Sequence, residues 1–330
     1  MKQKIQLLFI FSFFLIGCEK VFMPETKSDN ISVFEEVYEV AKANYVFFEY
    51  KQINWDSIYL EFQPKITNDM SEEDFFIVLS AFVNKLEDTH TRIIWNDKSI
   101  GYDFTNNANA NFDKELLFEK YLKDDYLTAG VVLYKKLNDV GYVYIPNFWY
   151  GNEHEQFNDI LNYFRDTKGI IVDIRDNGGG HNMSGMEIAR HFVTKKTLVA
   201  KWYYKTGTSY NSFSEKYESY IEPSDETIYT NNVMLLVNRE VYSAANDFTN
   251  TMNQIPSVTL IGDTTGGGGG IPRMYILQNG WKINISDTYS TDPFDFNVEH
   301  GIAPDIFIEM DTLNTEVDEI IERAIQELNK

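Results

Sequence analysis

Cysteine is almost absent from this chain of 330 residues, which contains Cys18 alone. A single cysteine cannot close an internal disulfide, so the fold must be stabilised by its hydrophobic core. Basic residues are also scarce, because 29 lysines and arginines face 50 aspartates and glutamates, and the formal net charge is -21. Such an acidic surface repels the phosphates of nucleic acids, and we expect no nucleic-acid partner.

The motifs of several cofactor-dependent classes are missing as well. The sequence contains no H-E-x-x-H and no pair of cysteines, so nothing predicts a metal site, and we expect no cofactor. The turn Gly178–Gly180 could cradle a phosphate, which keeps a nucleotide enzyme as a minor alternative. Its spacing is not G-x-G-x-x-G, however, and no Gly-Lys-Ser/Thr follows, so a plain tight turn is the simpler local interpretation.

A nearly unbroken apolar segment, residues 7–16, follows two lysines at the amino terminus. It is too short to span a bilayer comfortably and is typical of an export signal. The segment 15–18, Leu-Ile-Gly-Cys, resembles the bacterial lipobox. We therefore expect a lipoprotein signal peptide over 1–17, lipidation of Cys18 and a polar tether over 18–30. This predicts a bacterial cell-envelope protein, lipid-anchored and extracytoplasmic, with the membrane face left open. A plain secretory signal with an incidental cysteine is the alternative.

The rest of the chain divides by its hydrophobic pattern. Apolar residues at helical spacing predict a small helical domain over 31–92. Residues 93–139 are rich in Asn and Asp in their first part and are predicted to be a connector. Over 140–330, short buried strands alternate with helices, which predicts an α/β domain. The Tyr-rich insertion 202–232 fits either a substrate-covering flap or an ordinary surface hairpin.

Ser243 is the first candidate for chemistry. It follows an apolar strand and a short loop, and Ala244 begins what is predicted to be a helix. Free N–H groups and the positive end of the helix dipole would lie beside its hydroxyl, where an oxyanion can be stabilised. Taken alone, the position fits an ordinary helix-capping serine at least as well.

A serine nucleophile needs a base, because its hydroxyl is barely ionised at neutral pH. Of the five histidines, His90 stands in the short polar segment Asp88-Thr-His-Thr91, at the end of the helical region. His181 and His300 adjoin glycines and remain reserve candidates. Glu299, beside the turn at Gly301, is by itself an unremarkable loop acid.

Taken in order along the chain, these segments resemble the C-terminal-processing (tail-specific) protease family, and most closely its tricorn-core branch. Five segments carry the resemblance. They are Leu86-Glu-Asp-Thr-His-Thr91, Gly141-Tyr-Val-Tyr-Ile145, Ile171-Val-Asp-Ile-Arg-Asp-Asn-Gly-Gly179, Ser243-Ala-Ala with Gly262-Asp-Thr-Thr-Gly-Gly267, and Glu299-His-Gly-Ile-Ala-Pro-Asp305. The match covers most of residues 31–310.

The resemblance implies a ClpP/crotonase-like α/β catalytic domain preceded by a small helical domain, acting on peptide or protein substrates. It assigns Ser243 as nucleophile, His90 as general base, and Glu299 and Thr89 as its supports. The oxyanion donors it implies are the N–H groups of Gly178 or Gly179 and of Ala244. A second branch of the family uses a Ser–Lys pair. Because the glycines after Thr264-Thr265 are followed by no lysine, the Ser–His type is favoured.

Three departures from the family pattern are visible. Thr89 stands where the tricorn branch has serine, and Asn246 stands where an acid is common. Between Thr91 and Val140 there is too little chain for the PDZ module that many members carry. These departures leave open a non-catalytic peptide- or ligand-binding lipoprotein on the same fold. The sequence gives no indication of the oligomeric state.

Overall fold

A computed structural model describes residues 28–103, 111–311, 313–314 and 316–330. The predicted signal peptide 1–17, Cys18 and all but the last three residues of the tether 18–30 lie outside the described residues. Within the described ranges, no helix is both long enough and apolar enough to cross a membrane.

Helices occur in the predicted N-terminal region and between the later strands. They are α1 (Asn30–Asn44), α2 (Trp55–Phe62), α3 (Glu72–Val83), α4 (Lys114–Leu116, continued by a π-helical segment, Leu117–Leu122), α5 (Phe157–Tyr163), α6 (Asn182–Ala189), α7 (Ala244–Met252) and α8 (Glu319–Leu328). Polar side chains cap the amino-terminal ends of α1, α2, α3, α4 and α8. Ser71 caps α3 by accepting from the N–H of Asp74 at 3.1 Å. Asp29 caps α1 by accepting from the N–H of Ser32.

The strands form three sheets. They are β1 (Arg92–Trp95), β2 (Lys98–Gly101), β3 (Leu127–Ala129), β4 (Val132–Leu137), β5 (Val140–Tyr144), β6 (Gly169–Asp173), β7 (Thr197–Tyr204), β8 (Tyr217–Ile221), β9 (Asn232–Val237), β10 (Val258–Gly262), β11 (Pro272–Ile276), β12 (Lys282–Ser286), β13 (Thr288–Thr291) and β14 (Ile306–Phe307). The insertion 202–232 contributes β8 to a hairpin with β7, and β13 completes that sheet.

The main sheet has seven strands in the order β14-β10-β9-β6-β5-β4-β3. Strands β5, β6, β9, β10 and β14 are parallel, and the hairpin β3–β4 adds to one edge in antiparallel fashion. Helices α5, α6 and α7 contribute to the core on one face, and α8 with the π-helical segment contributes to the core on the other. Coverage of both faces explains the unbroken apolar strands and confirms the predicted α/β fold class.

The predicted connector 93–139 is not an irregular linker. It contains β1 and β2 and the helical stretch 114–122, and its last part forms β3 and β4 of the main sheet. The boundary predicted at 140 therefore cuts through a sheet. The pattern was misleading because β4 lies near the sheet edge, where its lysines remain partly exposed and hide the alternation.

The N-terminal helices do not form a core of their own. Residues of α1, α2 and α3 pack with Ile93 of β1 and with Trp281, Ile283 and Ile285 in and beside β12. Strands β11, β12, β1 and β2 form one antiparallel sheet, although β1 and β12 are far apart in sequence. This sheet fastens the end of the helical region to the C-terminal half of the chain.

A fully buried ion cluster joins the main sheet to helix α8. Arg175, just after β6, contacts Asp173 at 2.7 Å and Asp318, the cap of α8, at 2.8 Å, and all three side chains are inaccessible to solvent. The guanidinium thus joins the end of a central strand to the C-terminal helix. Removing one partner of such a cluster leaves uncompensated buried charge.

We expect Arg175→Met to lower the free energy of unfolding by about 3–5 kcal/mol, because two buried carboxylates lose their counter-charge. Urea unfolding followed by circular dichroism measures the change. Arg165→Met is the matched control, since Arg165 is 77% exposed in its ion pair with Asp166 and should cost less than about 1 kcal/mol. Equal losses in the two variants would contradict this account of the cluster.

Candidate active site

Ser243 lies at the junction between β9 and α7, as the N-cap residue of α7. Its φ is 55°, an unusual conformation for a residue other than glycine, and such backbone strain is concentrated at functional sites. The side chain makes no capping hydrogen bond to α7. Instead, Ser243 Oγ lies 3.0 Å from His90 Nε2. The Ser243 hydroxyl therefore contacts His90, whereas the hydroxyl of an ordinary N-cap serine accepts a hydrogen bond from its own helix.

His90 is held in the turn between α3 and β1 by the carboxylate of Asp88. One Asp88 oxygen accepts from the His90 backbone N–H at 2.9 Å. The other accepts from the hydroxyl of Thr91 at 2.9 Å and from that of Ser286, on β12, at 2.8 Å. In the sequence, Asp88 stands out only as part of the motif 86–91. Its position two residues before the histidine was the available signal for such a local anchor.

The surroundings of His90 favour the neutral imidazole. Burial lowers the pKa of His90, the Asp88 carboxylate acts in the opposite direction, and the charges of Arg92 and Lys51 lower the pKa further. A neutral ring can accept the serine proton at physiological pH. The ring of Tyr242 lies against it, with 4.9 Å between centroids. His90 Nδ1 has no hydrogen-bond partner within the described part of the chain.

The two residues predicted to support His90 have other hydrogen-bond and ion-pair partners. The Thr89 side chain hydrogen-bonds the Tyr242 hydroxyl. Glu299 Oε1 lies 2.7 Å from Lys51 Nζ. Burial raises the pKa of Glu299 to about 7, Lys51 opposes this effect, and the charge of Asp88 adds to it. Thr89, Glu299, Lys51 and Tyr242 all line one cavity of about 260 Å³. Lys51 could not be predicted from the sequence, because its segment carries no motif.

A glycine-rich loop joins the Ser243 and Glu299 segments. Gly267 O accepts from Ser243 N at 2.9 Å, and Glu299 O accepts from Gly268 N at 3.1 Å. A Cβ on Gly267 would lie 1.8 Å from Glu299 O, and one on Gly268 would lie 2.4 Å from the Tyr242 ring. Both glycines also have positive φ. Only residues without a side chain allow these segments to approach so closely.

The structure gives a reason for the asparagine at position 246. Asn246 is fully buried, its Nδ2 donates to Val298 O at 3.1 Å, and its Oδ1 accepts from Thr265 Oγ1 at 2.6 Å. Thr265 Oγ1 in turn accepts from Ile302 N at 2.7 Å. A carboxylate at position 246 could not donate to the Val298 carbonyl while ionised. Asn246 therefore fixes the turn that carries Glu299.

The predicted oxyanion donors are in unequal positions. Among the described residues, no group accepts a hydrogen bond from Ala244 N–H, in the first turn of α7, as expected for a helix start. Gly179 N–H already donates to Asn177 Oδ1 at 2.9 Å. Gly178 is exposed, and nothing lies within 4 Å of where its Cβ would be. Unlike that of Gly179, the N–H of Gly178 makes no hydrogen bond within the described part of the chain and is available to a ligand. Gly179 serves close packing, since a Cβ there would lie 2.9 Å from Ala244 N.

Comparison with known proteins places this architecture in a family. Residues 139–308, just over half of the chain, match the model of peptidase family S41, and residues 29–84 match the tricorn protease C1 domain. The chain belongs to peptidase family S41. The resemblance to C-terminal-processing proteases that the sequence motifs indicated is thereby confirmed.

The similar proteins extend this assignment. A crystal structure of a Parabacteroides merdae protein, provisionally named a peptidase, superposes with a TM-score of 0.87 at 34% identity, covering 92% of this chain and 98% of the other. The carboxyl-terminal-processing protease of Synechocystis sp. is 24% identical over 173 residues, 52% of this chain and 38% of that protein. CtpB, a carboxy-terminal processing protease of Bacillus subtilis, is 25% identical over 153 residues, 45% of this chain and 29% of that protein. The chain thus spans well under half the length of these two relatives.

A further acid lies one helical turn after the nucleophile candidate. Asp247 is half-buried, and its N–H donates to Ser243 O at 3.0 Å. Burial raises the pKa of Asp247 to about 7, and hydrogen bonds from Asn182 and Ser290 only partly offset this effect. The folded protein therefore binds this proton more tightly than the unfolded chain does. Stability associated with the proton is full below about pH 4 and is lost as the pH rises towards 7.

We expect Asp247→Asn to become progressively more stable than the wild type as the pH rises, because asparagine has no charge to desolvate. Between pH 5 and pH 8 its advantage in the free energy of unfolding should grow by about 2 kcal/mol. Urea unfolding at the two pH values measures it. Asp159→Asn, at an exposed position of α5, is the control and should show no such growth. A pH-independent difference for Asp247→Asn would contradict the burial of this carboxylate.

Proposed function

We propose that this protein is a cell-envelope serine endopeptidase that hydrolyses peptide bonds through an acyl-enzyme on Ser243, with His90 as general base. The observation that carries the proposal is the 3.0 Å contact between Ser243 Oγ and His90 Nε2, which joins residues 153 positions apart. Membership of family S41 and similarity to C-terminal-processing proteases support peptide or protein substrates. The lipobox-like segment ending at Cys18 supports lipid anchoring on the extracytoplasmic side of a bacterial membrane.

The proposed steps are those of acyl transfer. His90 takes the hydroxyl proton as Ser243 Oγ attacks the peptide carbonyl, and the imidazolium then protonates the leaving amine. The N–H groups of Ala244 and Gly178 stabilise the oxyanion, and losing one such donor costs on the order of 3 kcal/mol in the barrier. Water then releases the acyl group. Glu299, directly or through Thr89, balances the charge that His90 acquires.

The contacts favour a Ser–His over a Ser–Lys mechanism. Lys51 lines the cavity beside Glu299 and contacts Glu299 Oε1 and the Glu87 carbonyl oxygen. Its ammonium group is engaged with these two oxygens, and no contact within the described residues joins it to Ser243. The imidazole of His90 is neutral by burial and already lies against the hydroxyl. It is therefore the group that activates Ser243.

We expect wild-type protein to react covalently with a fluorophosphonate probe, because the reagent requires a serine activated by a neighbouring base. Ser243→Ala should not be labelled, and His90→Ala should be labelled more slowly by a factor of at least about 100. Ser209→Ala, in the loop between β7 and β8, is the matched control and should label normally. A wild-type chain that neither labels nor cleaves peptides would favour the non-catalytic binding lipoprotein instead.

Labelling should also depend on pH with a defined sign. His90 must be unprotonated to act as a base, and burial lowers its pKa below the ordinary value of about 6.5. The rate should therefore rise from acidic pH, with a midpoint below about 6.5, and be near its plateau at neutral pH. Rates measured between pH 4 and pH 8 test this. A midpoint well above the ordinary histidine value would exclude the buried, neutral His90 as the base.

A further inference from the structure

Lys51 contacts two segments of the site, at Glu87 and at Glu299, that belong to separate sequence motifs. It lies in the turn between α1 and α2, where its N–H donates to Phe47 O at 2.9 Å. Its side chain is only 6% exposed, and the ammonium lies 5.2 Å from the centre of the Phe47 ring. Nζ makes two contacts, 2.7 Å to Glu299 Oε1 and 2.8 Å to Glu87 O.

The two acceptors belong to the two segments that position the catalytic groups. Glu87 has a left-handed backbone, with φ 49°, and begins the turn that ends in His90. Glu299 lies in the short helical turn Val298–His300, which the glycine-rich loop connects to Ser243. One ammonium group therefore spans the His90 turn and the Glu299 turn. A buried lysine is costly unless it is paired and hydrogen-bonded, which is the condition met here.

We propose that Lys51 is a positioning residue of this site, which fixes the Glu299 carboxylate and the His90 turn relative to each other. This inference rests on the proposed peptidase function. Lys51 opposes the rise in the pKa of Glu299 that burial causes. An anionic Glu299 can balance the imidazolium formed during acylation, whereas a neutral one cannot.

The unpaired atoms of the site agree with this role. Lys51 contacts Glu299 Oε1, and Glu299 Oε2 is buried without a hydrogen-bond partner in the described residues. The same holds for His90 Nδ1. With Nε2 facing Ser243 Oγ as the proton acceptor, the neutral ring carries its proton on Nδ1. His90 therefore offers an N–H, and Glu299 an oxygen that Lys51 leaves unoccupied. Lys51 itself does not touch Ser243, so it acts through Glu299 and the His90 turn.

The test is a double-mutant cycle read out as the second-order rate constant of fluorophosphonate labelling. Lys51→Met and Glu299→Gln should each lower the rate by about tenfold or more, because each removes the charge balance of the imidazolium. Lys51→Met/Glu299→Gln should label within about threefold of Glu299→Gln alone, since Lys51 then has no partner through which to act. Lys51→Arg, which keeps the charge, should recover much of the rate lost in Lys51→Met.

The matched control is Lys42→Met, which removes a lysine of the same helical region whose ion pair with Asp56 is exposed, and it should label at the wild-type rate. Thermal unfolding identifies any variant that fails to fold. If Lys51→Met fails to fold, the labelling rates of Glu299→Gln and of the double variant are compared instead, because the double variant loses both charges together.

Two results would overturn the inference. One is Lys51→Met labelling within threefold of the wild type. The other is a double variant whose loss equals the product of the two single losses. In both cases a reactive wild type preserves the proposed peptidase function. A wild-type chain that does not label would instead overturn the function and the inference together.

Discussion

The contact between Ser243 and His90 depends on a carboxylate that touches neither of the two reacting atoms. Asp88 binds the backbone N–H of His90 and, through its other oxygen, the hydroxyl of Ser286 on β12. Strand β12 pairs with β1, which directly follows the His90 turn. The imidazole is thereby fixed to the C-terminal half of the chain, where Ser243 and Glu299 lie. Without that tie, a base at the end of a helical region would have no defined position relative to the nucleophile.

Charge is distributed unevenly within this site. Burial lowers the pKa of His90 and raises the pKa values of Glu299 and Asp247. It therefore favours the neutral form of all three side chains. Lys51 is the buried cation that opposes this tendency at Glu299. At the end of β6, the Arg175 cluster is an ion group that is also buried and that joins this strand to α8. Burial alone thus does not distinguish the two ion groups. They differ in that Lys51 contacts the turns that carry His90 and Glu299, whereas Arg175 joins β6 to α8.

The departures from the family pattern have local explanations. The Thr89 hydroxyl is bonded to Tyr242, whose ring packs on His90, so a threonine methyl is accommodated without loss of that contact. Asn246 donates to a carbonyl, which an ionised acid could not do. Neither substitution removes Ser243 or His90 from its partner. The departures therefore weigh less against catalysis than the sequence alone suggested.

The local patterns of the sequence were sufficient for much of the fold. Apolar residues at helical spacing predicted the N-terminal helical region, and short buried strands alternating with helices predicted the α/β domain. These patterns failed at β3 and β4 and in the helical stretch 114–122 because edge strands and polar helices lack a continuous apolar signal. The helical region also proved to share its core with β12, since pairing between distant strands leaves no mark in either segment alone.

The sequence by itself determined the family resemblance, the candidate residues Ser243, His90 and Glu299, and the preference for histidine over lysine as the base. Those conclusions rest on residue types in local motifs, which do not depend on how the chain folds. Only the tertiary structure decided that Lys51 pairs with Glu299, that Asp88 anchors His90, and that Gly179 N–H is already engaged. These are contacts of a few ångströms, several of them between segments far apart in sequence, and packing alone sets such distances.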